Sequence, residues 1–351
     1  MKLSGGARWA LMTLGIGAVR RVARRARAID FEDRVVLITG GSRGLGLLLA
    51  RQLGAAGARL VILARDGAEV RRAEEDLRGR GATVWGRVAD VRNPAEATAA
   101  VADTVAHFGQ LDVLINNAGV IMVGPAEHMT IEDYEEAMGV HFWGPLHLIR
   151  AAVPHLRRKR QGRIVNIASI GGKFPAPHLS AYCASKFALV GLSDTLGAEL
   201  AKDGIRVTTV NPGLMRTGSH LNAILKGRHA AEFALGALLD SSPLTSIAAQ
   251  RAARQIVDAC RYGDRELTIT IQAQVAARFY ALFPALTADL LAIVARLMPQ
   301  PTGPSGDRRQ TGWESQSPVA PSLLTSLADR ATVANNEVPS SGGHDPLHDG
   351  L

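Results

Sequence analysis

RVVLITGGSRGLG, residues 34–46, carries a β-branched apolar run straight into a glycine-rich turn and on into a helical pattern. A short strand that is apolar on both faces belongs inside a parallel sheet. In Thr39-Gly40-Gly41-Ser42-Arg43-Gly44-Leu45-Gly46, glycine stands where backbone must approach an anionic group closely. The helix behind the turn offers unpaired N–H groups and the positive end of its dipole. Glycine-rich turns also occur for purely structural reasons. The strand before and the helix after point instead to a phosphate-binding turn.

Outward from this stretch the same alternation repeats. ARLVILA (58–64), TVWGRVAD (83–90), LDVLINNAG (111–119), GRIVNIAS (162–169), IRVTTVNPG (205–213) and ELTITIQ (266–272) read as six further strands. Helical periodicity fills 44–57, 67–80, 94–108, 130–158, 180–203 and 246–262 between them. Strict β–α alternation predicts a doubly wound, parallel, seven-stranded α/β sheet with helices on both faces, and ligands at the carboxyl ends of its strands.

The chain has 351 residues, 47% of them hydrophobic and 21% charged, enough to build a large core. Collagen, coiled coil and wholesale disorder are excluded. Cys183 and Cys260 are the only cysteines, too few for a disulfide framework or a cysteine-based zinc site. No metal is expected, and a reducing, cytoplasmic compartment is. Seven of the net eight positive charges lie in residues 1–29, so the body is nearly neutral and a nucleic-acid partner is not expected.

Three further motifs accompany the glycine turn. Asn116-Asn117-Ala118-Gly119 closes the fourth strand, Tyr182 and Lys186 stand four apart on one helix face, and Ser169 lies thirteen residues before the tyrosine. Beside a lysine ammonium a phenol, whose ordinary pKa is near 10, is drawn toward the range of a working base. On these residues the stretch 34–272, including Asn211-Pro212-Gly213, resembles the short-chain dehydrogenase/reductase family with its Rossmann-type sheet. A nucleotide-sugar epimerase or dehydratase would share YxxxK but has two residues, not three, between its first glycines. A non-catalytic dinucleotide-binding or membrane scaffold protein is the other alternative.

The resemblance implies roles. Ser169 would hydrogen-bond the substrate oxygen, Tyr182 transfer the proton, and Lys186 also hold the nicotinamide ribose. Gly40, Ser42, Arg43, Gly44, Leu45 and Gly46 would cradle phosphates. Asp90 and Val91 match the adenine contact, Asn117, Ala118 and Gly119 line the cofactor, and Thr217 matches the residue near the carboxamide. His141 stands where the family carries an asparagine that supports a relay water. It is either a relay member with a pH switch or a buried neutral histidine.

Charge predicts the cofactor. Ala64 occupies the position where an acid would bind the ribose of NAD(H), and Arg65 and Arg43 flank it, which favours the 2′-phosphate of NADP(H). Asp66 dissents, since a slip of one residue would restore NAD(H) binding. Leu221, Ile224, Leu225, Phe233, Leu235, Leu238 and Leu239 follow Thr217 with few charges before Asp240, so a small hydrophobic carbonyl or alcohol is expected: lipid-, steroid- or retinoid-like.

The ends have their own character. Residues 1–33 form a basic extension in which an apolar run, Trp9 to Val19, precedes Arg20, Arg21, Arg24, Arg25 and Arg27. This is either a peripheral anchor for an anionic membrane surface or a helix packed on the body. Residues 273–300 carry an apolar helical face, Phe279, Leu282, Leu286, Leu290, Ile293 and Leu297, which Pro284 should break. The tail 301–351 reads as mostly disordered, with residues 322–331 able to form a docked turn. A homo-oligomer is the expected assembly.

Overall fold

The computed structural model describes residues 19, 21–318, 320, 322, 325 and 331–337. Its centre is a seven-stranded parallel sheet: β1 Val35–Thr39, β2 Arg59–Ala64, β3 Val84–Val88, β4 Val113–Asn116, β6 Arg163–Ile167, β7 Arg206–Pro212 and β11 Glu266–Ile269. The order across the sheet is β11-β7-β6-β4-β1-β2-β3. The direction of winding reverses between β1 and β4, which opens a crevice at their carboxyl ends.

The helices are α2 Gly44–Ala55, α3 Gly67–Gly79, α4 Pro94–Phe108, α5 Ile131–Met138, α6 Gly144–Lys159, α7 Ser180–Glu199, α8 His229–Ser241 and α9 Ala249–Tyr262. Alternate residues of β1 feed opposite faces. Val36 and Ile38 pack with Leu49 and Leu53 of α2 and Ile256 of α9. Val35 and Leu37 pack with Val101 of α4 and Leu148 and Ala152 of α6. Two cores back to back bury β1 completely, which is why its sequence is apolar at every position.

The long helical pattern at 130–158 is not one helix. α5 and α6 are joined by a π-helical turn, Gly139–Trp143, because Pro145 at the start of α6 cannot donate the N–H that would continue the ladder. His141 sits on that turn, facing inward.

After β7 the chain forms small pairings over the crevice. β8 Leu214–Arg216 pairs with β10 Ser246–Ala248, and β9 Ile224–Leu225 lies between β5 Met122–Val123 and β12 Gln310–Thr311. β12 corrects the expectation of a disordered tail. Its antiparallel pairing with β9, the ion pairs from Arg309 to Asp133 and Glu136, and His128 against Asp307 fasten residues 301–318 to the body. Position 300 is therefore no structural boundary. Most of 322–331 lies outside the described residues.

As Pro284 predicts, residues 271–297 break into α10 Ile271–Leu282 and α11 Pro284–Leu297, bent by 119°. Leu282, Leu286, Leu290, Ile293 and Leu297 are exposed along this hairpin. Among the described residues no single helix is long and apolar enough to cross a membrane.

At the opposite end of the sheet lies α1 (residues 21–26). The apolar run before it falls outside the described residues, apart from Val19. Arg24 makes a forked pair with Asp264, at 2.7–3.1 Å, and stacks 3.9 Å above the Tyr262 ring. The Arg27 carbonyl accepts from Arg163 at 2.6 Å. Two members of the arginine stripe are thus committed to the body, while Arg21 and Arg25 are exposed.

Candidate active site

Every expected site residue except Gly46 lines one cavity of about 1050 Å³ at the carboxyl ends of the strands. Gly46 serves the turn itself: a Cβ there would strike the Gly40 carbonyl, so the helix could not seat against the strand. Gly44 has φ +54, a left-handed conformation that a side chain would strain. No side chain caps the N-terminus of α2, and its first turn holds no acid. Such an end can receive an anionic diphosphate.

The turn is held from β4. Asn117 donates through Nδ2 to the Thr39 and Gly40 carbonyls, both at 3.0 Å, while Thr39 Oγ1 accepts from the Asn117 and Ala118 N–H groups. Beyond the turn, Asp66 is spent as the N-cap of α3, where its carboxylate accepts from the Ala68 and Glu69 N–H groups. Arg65 is exposed on the cavity rim. Ser42 donates to Glu69 Oε2 at 3.1 Å, and Arg43 pairs with Glu69 Oε1 at 3.0 Å.

Glu69 escaped the sequence reading, although Asp66-Gly67-Ala68-Glu69 has the spacing of a capping box and so marks where its helix begins. Its carboxylate is turned away from that cap toward the glycine turn. Asp90 is held by Arg92 in a fork at 2.6–3.1 Å, and Thr217 Oγ1 donates to Ser219 at 2.7 Å.

At the other end of the cavity α7 presents Tyr182 and Lys186 on one face, across from Ser169 at the end of β6. The Ser169 hydroxyl accepts from Gly171 N–H at 3.0 Å and hydrogen-bonds the Tyr182 phenol. Lys186 is 4% exposed; its Nζ donates to the Ile167 carbonyl at 2.9 Å and stands 5.7 Å from the Tyr182 ring centre.

The electrostatics differ from the expected lysine-activated phenolate. Burial pushes the Tyr182 phenol up to about 12, with the Ser169 hydrogen bond only partly opposing it. The same burial lowers the Lys186 ammonium to about 7. Desolvation outweighs the attraction between them, so at neutral pH the phenol keeps its proton.

His141 is fully buried. Its Nε2 accepts from the Val120 N–H at 3.1 Å, which leaves the proton on Nδ1, 2.8 Å from Ser185 Oγ. Ser185 donates onward to the Tyr182 carbonyl at 2.8 Å. Burial, and secondarily the Lys186 charge, hold the imidazole well below 6.5, so it is neutral. Ser185 carries no motif signal, and its part shows only when the π turn brings His141 to α7.

The substrate end of the cavity is walled by Ile224, Leu225, Phe233, Leu235 and Leu239, with Met298 from the end of the hairpin. Leu221 packs behind this wall instead. Asp240 also faces the cavity, where burial raises its carboxyl to about 6. The tail contributes Glu337, at the glycine-turn end.

A sequence model of the family described as short chain dehydrogenase matches residues 34–224. The mouse (Mus musculus) dehydrogenase/reductase SDR family member 7B is 32% identical over 262 residues, 73% of this chain and 80% of the mouse one. Among solved structures, a variant of actinorhodin polyketide ketoreductase with NADPH aligns with a TM-score of 0.60 at 30% identity, covering 68% of this chain and 95% of that one. L-Sorbose reductase from Gluconobacter frateurii, complexed with NADPH and L-sorbose, gives 0.62 at 27% identity over 69% and 97% of the two chains.

Proposed function

This chain belongs to the short-chain dehydrogenase/reductase family of oxidoreductases, and from that premise we propose that it is an NADP(H)-dependent reductase of a hydrophobic carbonyl compound. The observation that carries the proposal is that Ser169, Tyr182 and Lys186 converge on the cavity whose far wall is the glycine turn. The catalytic unit is residues 34–272, with the hairpin and the tail added around its mouth. A nicotinamide dinucleotide would lie along Gly40, Arg43, Gly44, Asp90, Asn117 and Thr217 and supplies the hydride.

The chain's own work is positioning and proton transfer. Tyr182 holds its phenolic proton at neutral pH and can give it to an oxygen that becomes an alcohol. Ser169, already bonded to the phenol, donates to the same oxygen and fixes its distance. Lys186, anchored by the Ile167 carbonyl, is placed to return a proton to the tyrosine side of the site. His141 is a positioning residue: through Ser185 it fixes the turn of α7 that bears Tyr182. A proton kept on Tyr182 favours reduction over oxidation.

Preference for NADP(H) over NAD(H) rests on Arg43 and Arg65 beside Ala64, with Asp66 engaged by α3 and unable to receive a ribose hydroxyl without uncapping the helix. The substrate wall of Phe233, Leu235, Leu239 and Met298 suits an apolar body. The α10–α11 hairpin joins that mouth: Tyr280 meets Phe174 and Phe187 edge-on, at 6.1 and 6.4 Å between ring centres. Its exposed apolar face supports an origin of the substrate in a membrane surface. The test is NADPH oxidation against a panel of hydrophobic ketones. No turnover with any of them, by a folded protein that binds NADPH, would favour a scaffold role.

A further inference from the structure

The segment 331–337 crosses the glycine turn. Residues 331–334 form a helical turn, and Asn336 then takes φ +57, a conformation asparagine tolerates. The Asn335 carbonyl accepts the Gly44 N–H at 2.8 Å, and Asn335 Nδ2 donates to the Thr217 carbonyl at 3.1 Å. Asn336 Nδ2 donates to the Ser42 carbonyl at 2.8 Å and receives Arg72 on its Oδ1 at 2.8 Å. The Glu337 carboxylate accepts from Asn222 Nδ2 at 2.7 Å and stands 3.5 Å from Arg43 Nε. Any Cβ on Gly44 would collide with Glu337 Oε1. Asn335 and Glu337 are 0% and 3% exposed.

A backbone carbonyl and a carboxyl therefore sit on the uncapped N-terminus of α2 and its neighbouring arginine, the groups that would otherwise receive phosphate oxygens. We propose that residues 335–337 are an internal ligand of the dinucleotide site, a peptide that holds the diphosphate position and withdraws before NADP(H) binds. The inference rests on the dinucleotide reading of the glycine turn. A lid would lie outside the cofactor and leave the Gly44 N–H free for it; here that N–H is taken directly by the tail. Docking also brings Glu337 beside Glu69, so the segment is held by hydrogen bonds against a like charge. Being tethered, it competes at a high effective concentration.

The experiment measures NADPH affinity by titration calorimetry in the full chain and in its Asn336→Ala/Glu337→Ala variant. The variant is expected to bind at least about tenfold more tightly, since the free chain no longer has to be vacated. In parallel, limited proteolysis of the unaltered chain should cut between residues 318 and 337 faster with NADPH than without. This second measurement decides the matter if the variant fails to fold. Unchanged or weaker affinity, or NADPH protection of the segment, overturns the proposal and makes the tail a cover over the cofactor. Absence of NADPH binding in both forms overturns the dinucleotide reading itself.

Discussion

His141 and Ser185 are joined at 2.8 Å across the π turn and α7, and Ser185 passes the connection to the backbone of Tyr182. Replacing the imidazole with a methyl would orphan the Val120 N–H and the Ser185 hydroxyl. His141→Ala is therefore expected to lose about 2 to 4 kcal/mol of stability, read by denaturant unfolding, with His141→Asn recovering part of it. The folded imidazole titrates well below 6.5, so the unfolded chain takes up the proton first as pH falls. The stability contributed by His141 is present above pH 6.5 and is lost below it, by up to about 1.4 kcal/mol per pH unit. His141→Asn should lack that portion of the slope. Identical pH–stability profiles for the two proteins would mean that His141 is not buried in its neutral form.

Tyr182→Phe removes the transferable proton but keeps the ring. Turnover of a ketone substrate should fall by at least about a hundredfold, with NADPH affinity within about twofold of the parent. Near-normal turnover would move the proton donor elsewhere.

Arg65 is exposed at the rim and committed to no recorded hydrogen bond or ion pair within 4 Å, so its guanidinium is available to a 2′-phosphate. Arg65→Ala should weaken NADPH binding about tenfold and leave NADH within about twofold. Parallel losses for both cofactors would show that the rim does not read the phosphate.

The hairpin face is tested by Leu286→Asp with Ile293→Asp. Both positions are exposed, so folding stability should change little. Sedimentation with anionic lipid vesicles at low salt should show at least about a tenfold loss of binding, because charge on the inserting face opposes burial in the interface. Equal binding by both proteins would leave any attachment to Arg21, Arg25 and the residues before them.

The sequence by itself determined the sheet. Seven apolar strands, the helices between them, the glycine turn, Asn117, Ser169, Tyr182 and Lys186 are local patterns, because strand burial, helix spacing and close backbone approach are each written over a few neighbouring residues. The break at Pro284 was legible for the same reason. Tertiary structure alone decided what depends on partners distant in the chain. It committed Asp66 to a cap, turned Glu69 onto Arg43, and joined His141 to Ser185 through a π turn. It also set the protonation of Tyr182 and Lys186, since desolvation is a property of the assembled cavity and not of a four-residue spacing. The tail shows the limit most plainly. Its polar composition reads as disorder, yet Asn335, Asn336 and Glu337 are ordered by the unsatisfied donors of a helix that begins at Gly44. No composition of the tail could announce that, because the groups it satisfies belong to the other end of the chain.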